Sequence, residues 1–115
     1  SEQSVNNGWA YCYGAIGTIN NLLKNFGSSA LLRSELEVLR AMVYLWLIDA
    51  YGNVPVILET DTNPTPANNT RAEVYDFIEK SILGGTWKSA TFAANIDNLT
   101  KTRTYGTMNY WVAQT

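Results

Sequence analysis

Carboxylates are the main acid–base groups this chain can offer. It has 115 residues, with ten Asp and Glu, eight Lys and Arg, one cysteine and no histidine. Histidine is the side chain that titrates near neutral pH, completes nucleophilic triads and most often ligates metals. Its absence predicts no catalytic dyad, no metal centre and no cofactor built from this chain. Cys12 stands alone between Tyr11 and Tyr13 in a helical pattern and reads as a buried structural thiol. A single cysteine excludes an intrachain disulfide. Glycoside hydrolysis needs two carboxyls about 5 to 10 Å apart across a sugar. Glu35 and Glu37 are two apart on a helix and diverge, Asp49 lies in an apolar helix, and Glu59 and Asp61 flank a loop. A glycosidase using Asp49 or Glu59 is therefore the weakest functional reading. Gly84-Gly85 lacks the Gly-Lys that completes a phosphate-binding loop.

Aromatic side chains are the second chemical resource. Four Trp, seven Tyr and three Phe make up 12% of the chain, and flat rings beside amides suit the apolar faces of sugars. Tyr44, Trp46, Tyr51 and Tyr75 lie in helical patterns and read as packing residues. Trp9, after Asn6-Asn7-Gly8, and Trp87, after Gly84-Gly85-Thr86, lie nearer loops and are expected to be more exposed. Trp9 with Asn6 and Asn7 forms the candidate ligand-binding set, chosen on chemistry and position. Arg40 sits in a buried stripe and is expected in a structural ion pair or bonded to backbone. The formal net charge of -2 and the scatter of basic residues argue against a nucleic-acid partner. No apolar run reaches the roughly 18 residues of a membrane span.

The elements that would position these residues are mostly helices. Ser34 to Pro55 is the centre of the chain. Leu36, Leu39, Val43, Leu47 and Ala50 recur at spacings of three and four, and Val38, Met42, Leu45, Trp46 and Ile48 widen the stripe. A helix apolar nearly all round is expected to be buried. Ser34 and Glu37 have the spacing of a capping box, and Gly52 is expected to end the helix with positive φ. Upstream, residues 7–25 read as a helix capped by Asn6 or Asn7, with Gly14 and Gly17 admitting a neighbouring helix. A short turn makes the two an antiparallel pair. Residues 60–70 read as a loop. Thr70 and Glu73 form a second capping box that opens a third helix, which ends at Gly84-Gly85. Residues 86–104 have no clean period and read as irregular, with a short hairpin or helical turn around Phe92 to Ile96. A fourth helix is expected from about Thr107.

Four segments resemble the SusD/RagB family, in family order. Leu39-Arg40-Ala41, Tyr44, Leu47 and the run Tyr51 to Val56 are similar to its "LRA, aromatic-rich helix, YGNVP" signature. Trp9, Tyr13, Ile16 and Asn20 are similar to its upstream helix, Arg71 to Ile78 to its "R.EVYDFI" helix, and Tyr105 to Ala113 to the start of a further helix. The resemblance implies an all-α fold of tetratricopeptide-like helix pairs joined by irregular loops. Residues 1–115 would be the N-terminal helical part of a larger SusD-like domain. The implied function is a glycan- or nutrient-binding component, without enzymatic activity, of an outer-membrane uptake system in Bacteroidetes-type bacteria. Its partners would be an oligosaccharide and a TonB-dependent SusC-like transporter, and its place the cell surface, as a lipoprotein. Cys12 does not match the family's lipidated N-terminal cysteine. The alternative is a helical scaffold for protein contacts with no ligand of its own.

Overall fold

The structure, a computed structural model, describes residues 2–105 and the side chains of residues 7–101. It is mostly helical, with one small antiparallel hairpin. The order is α1 (Glu2–Phe26), α2 (Ala30–Tyr51), α3 (Arg71–Leu83), β1 (Gly85–Trp87), β2 (Ala90–Phe92) and α4 (Asn95–Tyr105). The helix expected from Thr107 lies outside the described residues.

Helix α1 begins earlier than expected, and α2 begins at Ala30, within the expected span from Ser29 to Ser34. Helix α1 runs through Asn6 and Asn7, so neither is its cap. Helix α2 is capped by Ser29, whose hydroxyl accepts from the Leu32 N–H. Ser34 and Glu37 are not a capping box: both are buried in the interior of α2. The expected cap of α3 is present, because Thr70 accepts from the Glu73 N–H and Glu73 accepts from the Thr70 N–H. Gly52 ends α2 with φ +81°, as expected. Gly84 ends α3 with φ +93°. Residues 86–104 are more regular than their sequence indicates. Trp87 pairs with Ala90 and Gly85 with Phe92, and α4 follows directly.

The core lies where α1, α2, α3 and the hairpin meet. Ile16, Ala41, Tyr44, Leu47, Val54, Val74, Phe77, Trp87 and Phe92 form one buried cluster. Phe77 is its hub, with the rings of Tyr44, Trp87 and Phe92 all packed edge-on against it. A second cluster, Ile19, Leu23 and Leu36, closes the turn end of the α1–α2 pair.

The buried face of α2 is rotated from its apolar stripe. Its interior positions are Ser34, Leu36, Glu37, Arg40, Ala41, Tyr44, Leu47 and Ile48. Leu39, Met42, Leu45 and Trp46 are exposed, Leu39 by 52%. Helix α2 is therefore not apolar on a fully buried surface; it buries a partly polar face and shows an apolar one. The polar groups are satisfied across elements. Asn95, at the start of α4, donates to Glu37 and to the Ser81 carbonyl, both at 2.8 Å, and accepts from the Ser34 hydroxyl at 2.8 Å. Arg40 pairs with Glu59 and donates to Asn20, both at 2.8 Å. Its expected structural role is what the structure shows. Gly14 and Gly17 face open space, and the close approach falls at Gly8 instead, where a Cβ would meet the Trp46 ring at 2.8 Å.

Candidate functional site

The residues singled out for ligand binding do not form a polar site. Trp9 is half-buried, with its ring 4.8 Å from that of Tyr13 and 5.0 Å, edge-on, from that of Tyr51. It packs against the main core. Asn7 is exposed on the neighbouring helical turn, and the Asn6 side chain lies outside those described. The groove beside them, of about 480 Å³, is lined by Gly8, Tyr11, Cys12, Ala15, Met42, Val43 and Trp46. Such a lining offers contact area and almost no hydrogen bonding. Burial pushes the Cys12 thiol upward, in keeping with a structural role.

Polar groups gather instead around the segment that leaves α2. That segment is held by residues from two helices. The Tyr13 hydroxyl donates to the Pro55 carbonyl at 2.6 Å, and the Asn20 amide donates to the Ile57 carbonyl at 2.9 Å. The Tyr44 hydroxyl accepts from the Ile57 N–H at 2.8 Å. Burial drives both phenols well above their ordinary range, so they stay neutral and act as fixed hydrogen-bonding groups. Val54 and Asn69 exchange backbone hydrogen bonds, and Asn69 also accepts from the Val56 N–H. The loop between them is thereby closed at its base.

A cleft of about 610 Å³ opens between this loop and the tip of the β hairpin. That size is ordinary for a small-molecule site. Its wall is the pinned segment Val56 to Leu58, and its rim carries Thr60, Thr62, Asn68 and Ser89. These hydroxyls and amides are exposed and face solvent with donors and acceptors. Asp61, Glu73 and Lys88 supply the charges. Asp61 accepts from the Leu58 N–H at 2.8 Å, and Glu73 is occupied in the cap of α3. The bond from the Thr70 N–H holds the Glu73 carboxyl below its ordinary range.

Trp87 sits at the base of the cleft, contrary to its expected exposure. It is 6% exposed, and its indole N–H donates to the Glu73 carbonyl at 2.8 Å. Of the four aromatics read as packing residues, Tyr44 is fully buried and Tyr51 partly so, whereas Trp46 and Tyr75 are about half exposed. Asp49 is exposed, so its charge needs no partner. Glu59 is bound by Arg33 and Arg40 as part of the frame. Among the described residues no group of three or more potential His, Cys, Asp or Glu ligands could hold a metal ion. No helix among them is long and apolar enough to cross a membrane.

Composition gave a partial signal for this cleft. The run Thr60 to Asn69 is rich in Thr, Asn and Asp and has no apolar period, which marks a loop and not what it encloses. Its juxtaposition with Lys88 and Ser89 depends on the hairpin, which no periodicity announced. No family model, curated protein or solved structure matches the chain.

Proposed function

We propose that this chain is the glycan-binding part of an outer-membrane nutrient-uptake system. It binds an oligosaccharide in the cleft between the 56–69 loop and the hairpin tip. It then presents the sugar, without cleaving it, to a TonB-dependent transporter of the SusC type. The observation that carries this reading is how the cleft is built. Its wall, Val56 to Leu58, is pinned at Ile57 by Asn20 and Tyr44 and just before it, at Pro55, by Tyr13. Those are three of the residues that resemble the SusD/RagB family. The rim supplies neutral hydroxyls and amides, the groups that exchange hydrogen bonds with sugar hydroxyls. In this reading α1 and α2 form one tetratricopeptide-like pair, and the protein is a surface lipoprotein anchored outside the described region.

A second reading, a scaffold for protein contacts with no ligand, draws on a different observation. Tyr11, Leu39, Met42, Leu45 and Trp46 are exposed on α1 and α2, and an exposed apolar face of this kind marks an interaction surface.

Calorimetry of the chain against a panel of oligosaccharides separates the two. Binding is expected at micromolar to millimolar Kd, about -8 to -4 kcal/mol. Asn68→Trp, at an exposed loop position, should fill the cleft and abolish binding, while Asn7→Ala should leave it unchanged. Binding that survives Asn68→Trp would move the site to the Trp9 groove. A folded chain that binds no glycan would leave the scaffold reading in place.

A further inference from the structure

Lys88 is the one cation among the described residues that line the cleft, and its backbone is unusual. It occupies the first of the two residues linking β1 and β2, with φ +51°, the only non-glycine among the described residues with positive φ. Two-residue hairpin links favour glycine at such positions. A residue held there against its preference directs attention to what its side chain does. The Lys88 ammonium lies 5.0 Å from the centroid of the Trp87 ring, so the side chain is laid along the base of the cleft. The ammonium forms a long ion pair with Glu73, Nζ to Oε2 3.6 Å, weaker than a close hydrogen-bonded pair. Of the two carboxylates of the cleft, Asp61 is engaged by the Leu58 N–H, while Glu73 accepts from the Thr70 N–H through Oε1 and turns Oε2 toward Lys88. This loose pair to Glu73 leaves half of the Lys88 side-chain surface available, at 52% exposure, with donors to spare on the ammonium.

We infer that Lys88 makes the cleft selective for oligosaccharides that carry an anionic group, a carboxylate or a sulfate ester. This rests on the glycan-binding reading of the cleft. The rim hydroxyls and amides hold the sugar hydroxyls, and the ammonium takes the anion as a charge-assisted hydrogen bond. Trp87 and Glu73 position the ammonium, and the anion draws it off the Glu73 carboxylate.

Calorimetry with three trisaccharides tests the assignment: a trigalacturonate, a sulfated galactotriose and neutral galactotriose. The wild-type chain should bind at least one anionic sugar about tenfold more tightly than the neutral one. That margin should shrink as salt rises from about 0.05 to 0.5 M. Which anionic sugar is preferred tells carboxylate from sulfate. In Lys88→Met the margin between anionic and neutral sugars should vanish, and Lys88→Arg should restore it. Equal binding of neutral and anionic sugars by the wild type, or a margin that persists in Lys88→Met, overturns the inference and leaves the glycan-binding reading intact. Failure of all three sugars to bind a folded chain overturns both.

Discussion

Arg40 has no exposed surface, and its compensation is concentrated on one nitrogen. Nη1 meets both Asn20 and Glu59, while Nε and Nη2 have no hydrogen-bond partner among the described residues. The guanidinium also lies over the Phe77 ring, 5.6 Å from its centroid. Removing the carboxylate would leave a buried cation without its counter-ion. Glu59→Ala should therefore cost about 3–5 kcal/mol in chemical denaturation. Burial by itself would raise the Glu59 carboxyl, but hydrogen bonds and charge from Arg40, with Arg33 assisting, outweigh it and hold the group below its ordinary range. A depressed folded value means that this stabilisation is fully present above the ordinary glutamate value, about 4.3. It is lost as the pH falls from there through the folded value. Wild-type and Glu59→Ala stabilities, followed by denaturant midpoints, should thus converge on acidification below pH of about 4. Parallel curves would show that Glu59 is not the group that titrates. Gly52 presents a simpler case. A Cβ there would come no nearer than 3.6 Å to Arg71, so space is not the constraint. The φ of +81° is, and Gly52→Ala should cost roughly 1–2 kcal/mol. A stability change below a few tenths of a kcal/mol would refute the conformational argument.

Among the elements, α2 separates what apolar spacing can and cannot reveal. Leu47 is fully buried, and Leu47→Ala should cost about 2–5 kcal/mol by opening a cavity. Leu39, in the same sequence stripe, is 52% exposed, and Leu39→Ala should cost less than about 1 kcal/mol. Thermal unfolding of the two variants distinguishes them, and equal losses would place both on one buried face. The helix itself, its glycine stop and the cap of α3 were legible, because each depends on residues adjacent in sequence. The orientation of α2 was not. Ser34 and Glu37 have the spacing of a cap, yet they lie inside the helix and point inward, because Asn95 arrives from another element to satisfy them, as Asn20 and Glu59 do for Arg40, whose burial its place in the stripe did indicate. Helix α4 was missed for a related reason. Its sequence, NIDNLTKTRTY, has little apolar face, and its packing on α2 is anchored by the polar network at Asn95. Asn95→Ala should leave Ser34 and Glu37 buried without that partner and cost about 2–3 kcal/mol. Hydrogen exchange should report the loss first as opening of α4; uniform opening across all helices would contradict so local an anchor.

At the scale of the whole molecule, polar and apolar surfaces lie in different places. The cleft at the hairpin tip gathers hydroxyls, amides and one cation, while the outer side of α1 and α2 shows Tyr11, Leu39, Met42, Leu45 and Trp46. The candidate site was legible only as ingredients. The chain's aromatics and amides were visible in sequence, but Trp9 is drawn into a ring cluster with Tyr13 and Tyr51, whereas Trp87 closes the cleft from below. Which aromatic meets which amide is decided by contacts between distant segments, such as Tyr13 with Pro55 and Asn20 with Ile57. The apolar side makes its own prediction. Exposed rows of this kind associate when nothing polar interrupts them. The 115-residue chain should self-associate as its concentration rises, and Leu39→Lys with Met42→Lys should suppress that in sedimentation experiments. Both residues are about half exposed, at 52% and 51%, so the double variant loses little packing. Its Tm should stay within about 3 °C of the wild type. A wild type that remains monomeric at the same concentration would show that the row is too interrupted to associate. A double variant that loses many degrees would show that Leu39 and Met42 are packed more closely than their exposure indicates.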